Sequence, residues 1–526
     1  MDKRVSPIIG KNVLESLTTG MYENSRFIFR EYIQNSADQI DKAVKLGILT
    51  KDEEGIFVQI DGDARSITFE DNATGISKDQ FVSVMQNVAQ STKIRGVDKG
   101  FRGIGRLGGL GYCEKLVFES SFKGESIKSI MTWNAQLLRD IIDDIDDSTQ
   151  ATEVIAQVTT TDFLKESSDE HYFKVTLFNV TNDELLDRKD IEDYLSMVAP
   201  VPYQNGFIYK SLIYEELKND GLSIDEYKIY LNGDQIKKAY TSSIYSDSKG
   251  QKKKIDELID ICFFKEKGEK GDWLFWGWYG ISTFKKVIEK SCNTARGIRL
   301  RKQNIQIGLE NALVKLHRED RGNFYFFGEV HAIHPDLIPN SRRDYFNENK
   351  TCVLFEKKLK HIFHCNLYKL YHNASIIRNA QKEIQGYEDI LSTIENKESI
   401  GFHSQEEREE LYTKRDDAFT KAEEAKKKLQ KIETQSENTP VGKILDRVKK
   451  DFQKLNQKND NQSTKVTKTE TKDSSKTNYY TDKYTWLPKS ERKLLSRVFE
   501  VIRKVLPKDL ANNLTDKIDE EIRSKK

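Results

Sequence analysis

Six glycines fall within thirteen residues, Lys99-Gly100-Phe101-Arg102-Gly103-Ile104-Gly105-Arg106-Leu107-Gly108-Gly109-Leu110-Gly111. Backbone amides without Cβ obstruction at the start of a helix cradle phosphate oxygens, so the run predicts an anion-binding loop. A Gly-x-Gly-x-x-Gly motif would ordinarily point to a dinucleotide fold. Here no strand feeds the run directly and no acidic residue closes a strand–helix–strand unit, so that fold is excluded by context.

Two segments upstream give the loop its chemistry. In Phe29-Arg30-Glu31-Tyr32-Ile33-Gln34-Asn35-Ser36-Ala37-Asp38, offsets of four and three set Glu31, Asn35 and Asp38 on one face of a helix predicted from about Ser25 to Leu46. A carboxylate one turn from a carboxamide suits a water-activating base beside an oxygen ligand for a hard divalent cation. Next come Phe57–Ile60 and Ser66–Phe69, read as strands split by Asp61-Gly62-Asp63, the second running into Asp71-Asn72-Ala73-Thr74-Gly75-Ile76. A carboxylate at a strand end accepts a hydrogen bond from an exocyclic amine, and a glycine lets a planar base approach the backbone.

The order of these elements resembles the GHKL ATPase superfamily of gyrase B subunits, histidine kinases, MutL and the ninety-kilodalton heat-shock chaperones. Arg30-Glu31-Tyr32-Ile33-Gln34-Asn35-Ser36-Ala37-Asp38 is most similar to the chaperone helix. The resemblance implies a Bergerat-type α/β sandwich that binds ATP and Mg2+. It makes Glu31 the base, Asn35 the magnesium ligand, Asp38 a supporting residue, Asp71 the adenine-reading carboxylate and Gly75 the adenine platform. Gly100, Gly103 and Gly105 would contact phosphates, and Ser91-Thr92-Lys93 would belong to a lid, with Lys93 near the nucleotide. Ala73 stands where the family has a first glycine. Tyr172-Phe173 stand where Gly-Thr opens the last strand of the site, so Thr176, further on, is the candidate hydroxyl there.

The resemblance continues into a second, transducer-like α/β domain. Leu337-Ile338-Pro339-Asn340-Ser341-Arg342-Arg343-Asp344-Tyr345-Phe346 resembles the loop that presents an arginine to the terminal phosphate. Registering on Asn340 makes it Arg343, with Arg342 one slip away and Lys302, in Arg296–Asn304, the alternative cation. The implied activity is a Mg-dependent ATPase acting as a conformational switch, dimeric as the family is. It would act as a chaperone on protein clients or, alternatively, as a nucleic-acid clamp in genome maintenance or anti-phage defence. A nucleotide-binding scaffold without hydrolysis is disfavoured by the intact Glu31 and Asn35. A histidine kinase is disfavoured because no phospho-acceptor helix precedes the ATP module.

Elsewhere, Glu153–Val158 and Phe173–Phe178 read as strands, and Ala199-Pro200-Val201-Pro202 marks the first domain boundary. Residues 205–365 are strand-rich and aromatic. Charged residues are 32% of the 526 and apolar ones 37%, and that excess of charge collects after 365. Ile377, Ala380, Ile384, Tyr387, Leu391 and Ile394, then Ala418, Ala422, Ala425, Leu429 and Ile432, recur at threes and fours around Gly401, predicting a coiled-coil hairpin or one long broken helix. Residues 454–481 lack the apolar content to order and read as a tether. Trp486 to Val505 read as a helical module. The expected division is 1–200, 201–370, 371–435, 436–482 and 483–526, an α+β chain throughout.

Lys plus Arg number 85 against 84 Asp plus Glu, so no global field steers the chain to nucleic acid or an anionic membrane. No apolar run reaches a membrane span, and the N-terminus lacks a signal-peptide pattern. With five scattered cysteines, these features predict a soluble cytoplasmic protein with reduced thiols. His361, His364 and Cys365 have metal-compatible spacing without a completing cluster, and are read as ordinary side chains.

Overall fold

The computed structural model describes residues 8–18, 24–90, 99, 103–402, 404–436, 439–463 and 480–524. Ser91, Thr92, Lys93 and Gly100 lie outside them. The chain divides into two units, 1–369 and 370–526.

The first unit opens with α1 (Asn12–Thr18) and the polar-faced helix α2 (Phe27–Lys45). The other face of α2 is apolar, with Phe29, Ile33, Ala37 and Ile40 almost wholly buried, so burial against a sheet fixes its orientation. That sheet begins with β1 (Ile56–Asp61) and β2 (Ser66–Asp71), whose strict in–out alternation puts Ile67, Phe69 and Asp71 on the buried face. Phe69 meets Phe29 and Tyr32 of α2 with ring centroids 5.2 and 4.7 Å apart. Helix α3 (Lys78–Gln86), strands β3 (Lys115–Ser121) and β4 (Ile127–Asn134), and helix α4 (Ala135–Asp143) follow.

Residues 153–158, read from the sequence as a strand, are helical: they belong to α5 (Ala151–Val158). A capping box between Gln150 and Glu153 opens this helix, and Ala151, Val154 and Val158 recur at three and four. The β-branched run gives way to that local start signal, and the strand begins after it as β5 (Thr159–Lys165). Next are β6 (Tyr172–Phe178), α6 (Arg188–Val198), α7 (Lys210–Asn219), β7 (Ile229–Leu231) and β8 (Asp234–Gln235). The eight strands lie in the order β5-β4-β3-β6-β2-β1-β7-β8, antiparallel except where β7 runs parallel to β1. Residues 229–235, beyond the Pro200-Val201-Pro202 punctuation, thus extend the sheet of the nucleotide half.

A hairpin of β9 (Ser243–Ser248) and β10 (Gln251–Glu257) stands apart from a five-stranded sheet. The latter contains β11 (Asp260–Lys267), β12 (Trp273–Ile281), β13 (Gly297–Lys302), β14 (Ile305–Gln306) and β15 (Phe327–Ala332), ordered β11-β12-β15-β13-β14. Trp276 and Trp278 are fully buried in its core, as the aromatic runs predict. Beside them lies a buried charge cluster. Glu329 accepts from Arg301 Nε at 2.5 Å, Lys238 Nζ at 3.0 Å and Tyr203 Oη at 2.5 Å, with His331 Nε2 also at 3.0 Å. Burial alone would raise this carboxyl, but Arg301 and Lys238 hold it well below the usual carboxylate range. Helix α8 (Lys350–Ile362) follows, and the Cys365 thiol lies 3.7 Å from His361 Nδ1. No group of three metal-ligating side chains occurs among the described residues.

In the second unit, α9 (Tyr368–Ile400) and α10 (Gln405–Ser436) run antiparallel. Tyr387 packs on Phe419 at 5.6 Å, Tyr412 Oη donates to Glu398 Oε1 at 2.6 Å, and Lys397 pairs with Glu407. The tether reading fails at its start, because α11 (Pro440–Ser463) is helical through those residues. Ile444, Leu445 and Val448 are buried earlier in the same helix, and a helix anchored there propagates into the polar residues that follow. Residues 464–479 lie outside those described. Helices α12 (Lys489–Val505) and α13 (Lys508–Ser524) follow, and Lys483, in the turn before α12, donates to Asp519 of α13 at 2.7 Å.

Candidate active site

Helix α2 carries Glu31, and the glycine-rich turn Gly105–Gly111 packs against it. Its carboxylate is 8% exposed and lies against Gly105, where an added Cβ would meet Glu31 Oε2 at 2.3 Å. Only a glycine leaves the carboxylate its present place. Arg343 Nε is 3.1 Å from Glu31 Oε1 and Arg30 Nε is 3.7 Å from the same oxygen. Arg343 itself is buried, while its neighbour Arg342 is exposed and offers its backbone carbonyl to Arg30 Nη2 at 3.5 Å. Between the two arginines considered in the sequence, Arg343 is the one beside the candidate base.

Asn35 and Asp38, both partly exposed, follow buried Glu31 along the same face of α2. Asp38 Oδ1 accepts the backbone N–H of Lys99 at 2.9 Å, holding the start of the glycine run against the helix. Gly103 Cα turns with φ +70°, and its carbonyl accepts from Arg106 Nη1 at 2.7 Å. A second Arg106 nitrogen donates to the carbonyl of Asn87, and burial brings that guanidinium down to about 10. Tyr32 Oη closes the far side, donating to the Arg106 carbonyl at 2.9 Å and accepting from Gly109 N–H at 3.2 Å.

Asp71 ends β2 fully buried, its Oδ1 accepting from Ala73 N–H at 3.2 Å. Gly75 follows in a turn with φ +67°, where an added Cβ would lie 1.9 Å from the Ser121 carbonyl oxygen. This position demands glycine on both counts. The turn is fixed by side chains the sequence reading did not single out: Ser120 Oγ accepts from Ile76 N–H at 2.7 Å, and His171 Nδ1 is 2.8 Å from the Ala73 carbonyl. Asn72 Oδ1 accepts from Gly55 N–H at 2.9 Å.

The structure does not bring Thr176 to Asp71. In the β2–β6 ladder Asp71 pairs with Phe173 and Thr176 pairs with Thr68. Side chains alternate faces along a strand, so Thr176 looks away from Asp71, its hydroxyl 3.5 Å from that of Thr68. Phe173 stands in the pairing position beside Asp71, stacked on Phe118 at 6.1 Å. Lys302 is likewise engaged elsewhere, donating to the carbonyls of Ile333 at 3.1 Å and His334 at 2.7 Å, and burial lowers it to about 8.

The donor set suits a nucleotide with a hard cation: a buried carboxylate before a turn that excludes a Cβ, a glycine-rich turn, and a carboxylate and a carboxamide, Glu31 and Asn35, one helical turn apart. Residues 22–168 match the family model described as histidine kinase-, DNA gyrase B-, and HSP90-like ATPase. Chaperone protein HtpG of Salinispora tropica is 32% identical over 87 residues, which cover 15% of this chain and 14% of that protein. The HtpG of Burkholderia lata is 27% identical over 143 residues, 24% and 23% of the two chains. That of Bacillus subtilis is 30% identical over 97 residues, 17% and 16%. The chain therefore spans less than a quarter of the length of these relatives. With the site geometry, these likenesses identify residues 22–168 as a GHKL-type ATPase domain similar to that of the HSP90-like chaperones.

Proposed function

We propose that the chain is a Mg-dependent ATP hydrolase whose nucleotide state drives a change of shape. The observation that supports it most is the position of Arg343, 3.1 Å from Glu31 across a sequence separation of more than three hundred residues. In this reading Asp71 accepts from the adenine amine and Gly75 lets the ring lie on the backbone. Gly100, Gly103 and Gly105 present amides to phosphate oxygens, Lys93 belongs to the lid over them, and Asn35 holds the cation. Bound magnesium supplies charge neutralisation on the phosphate oxygens. Glu31 takes a proton from water. Arg343 neutralises Glu31, and the terminal phosphate, a better partner for a guanidinium, would draw it away and free the base.

Residues 1–200 then bind nucleotide, 201–370 supply Arg343, and the paired helices of 371–435, packed as a coiled coil, with the C-terminal module carry contacts to a partner or client. Closure of the nucleotide half is accompanied by homodimerisation, and the favoured substrate is a protein client in the cytoplasm. A nucleic-acid clamp is the second reading, favoured by the exposed Lys252-Lys253-Lys254 ribbon on β10. Among the described residues no helix is long and apolar enough to cross a membrane. Calorimetry and phosphate release test the site. Glu31→Ala should bind ATP yet release no phosphate, and Asp71→Asn should lose binding, because an amide adds a donor facing the adenine amine. Wild-type ATP affinity in Asp71→Asn would sink the assignment.

A further inference from the structure

Lys99 opens the glycine run, and no role in nucleotide chemistry accounts for how it is held. Its side chain is 4% exposed and lays its charge against two carboxylates that are themselves partly open to solvent, Asp41 at 35% and Asp225 at 42%. Nζ lies 2.7 Å from Asp41 Oδ2, one turn beyond Asp38 on α2, and 3.6 Å from Asp225 Oδ2 in the segment leading to β7. The same ammonium sits 5.2 Å from the centre of the Tyr227 ring, and Tyr227 Oη donates to the other oxygen of Asp41 at 2.8 Å. Burial works against the charged form, but Asp225, Asp41 and Asp38 overcome it and hold the lysine above its ordinary range.

The backbone of Lys99 is engaged at both ends. Its N–H donates to Asp38 and its carbonyl accepts from Arg343 Nη2 at 2.7 Å. Arg343 is therefore anchored in the nucleotide half at the Glu31 carboxylate and at the Lys99 carbonyl. Asp225 in turn offers its carbonyl to Asn304 Nδ2 at 2.7 Å, and the Asn304 carbonyl accepts from Arg301 Nη1 at 2.9 Å, so the contacts run into the buried cluster around Glu329. A loop residue fixed by charge to the helix and to the segment beyond the first domain determines where the carbonyl anchor of Arg343 stands.

We propose that Lys99 is a positioning residue: its ammonium, clamped by Asp41 and Asp225, sets the carbonyl on which Arg343 rests, and so makes hydrolysis depend on the registry of the two halves. The inference rests on the ATPase reading and adds to it the residue through which the arginine is aimed. A misplacement of about 1 Å at such a contact is worth roughly a hundredfold in rate.

The test uses the full chain with Lys99→Met, Lys99→Arg, Asp225→Asn, Arg343→Ala and the double variant Lys99→Met/Arg343→Ala. Turnover, ATP and ADP affinities and thermal melts are measured for each. Lys99→Met should keep its ADP affinity within about threefold, lose its preference for ATP over ADP, and turn over about 10- to 100-fold more slowly. Lys99→Arg should recover most of the rate, and Asp225→Asn, which keeps the lysine and tests the clamp if Lys99→Met does not fold, should show the same pattern more weakly. Adding Lys99→Met to Arg343→Ala should lower turnover by less than about threefold more, because the two act as one unit. Multiplying losses in the double variant, or wild-type turnover and nucleotide preference in folded Lys99→Met, overturn the inference alone. A wild-type chain that binds ATP and never hydrolyses it overturns the ATPase reading instead.

Discussion

Alanine at Gly105 perturbs the base while leaving Asp71 and Gly75 in place. The backbone there has no positive φ, so an L residue fits its conformation without strain. The added Cβ, however, would stand 2.3 Å from Glu31 Oε2, 3.2 Å from Cδ and 3.4 Å from Cβ. Ordinary contact requires about 3.4 Å or more, so the carboxylate oxygen must retreat by about 1 Å. It cannot swing freely, because Arg343 at 3.1 Å and Arg30 at 3.7 Å hold its other oxygen. Two costs follow. Overpacking a closed site destabilises by about 1–3 kcal/mol, visible in a denaturant melt. Displacing the base by about 1 Å lowers turnover by roughly a hundredfold, equivalent to about 2.7 kcal/mol in the barrier. ADP affinity should change by less than about threefold, since Asp71 and Gly75 are untouched. Full turnover from a folded Gly105→Ala would refute the argument, for either the carboxylate is elsewhere or it is not the base.

Two further predictions concern buried ionisable groups between residues 200 and 370. Glu329→Gln strands Lys238 and Arg301 as buried cations without their counter-charge and should cost about 3–5 kcal/mol in urea unfolding, where a loss under about 1 kcal/mol would contradict the cluster. His317, packed on Phe363 at 4.2 Å, is brought by burial from 6.5 to about 3. As pH falls the unfolded chain binds this proton first, so the contribution is complete above pH 6.5 and drains between 6.5 and 3 at about 1.4 kcal/mol per pH unit. His317→Phe should flatten that limb of the stability profile, and an unchanged acid limb would show that the ring is not buried neutral.

What the sequence makes legible is what local pattern encodes. The helix carrying Glu31, the strand ending at Asp71 and the glycine at 75 are each specified within about ten residues, by three-four spacing, alternation and turn chemistry. Arg343 was reachable because its loop keeps a recognisable run from Asn340. The clamp on Lys99 was not, since Asp41 and Asp225 lie far from it along the chain and nothing in three scattered charges marks them as one site. Thr176 misleads for a different reason. Counting along β6 finds a hydroxyl near the right place, but a three-residue offset reverses the face, and Phe173 takes the position. At 151–158 a β-branched composition competes with a capping box, and the local start signal prevails. The register that joins 229–231 to β1 in parallel leaves no short-range trace at all.

The most direct test of the central claim is the affinity of Arg343→Ala for ATP and ADP, measured together with its turnover. If Arg343 leaves Glu31 for the terminal phosphate, ADP binding should be unchanged, ATP should lose its advantage, and turnover should fall by about 100- to 1,000-fold. Arg342→Ala, with its side chain in solvent, should behave nearly as wild type. Equal weakening of both nucleotides in Arg343→Ala, or turnover at the wild-type rate, would contradict the account.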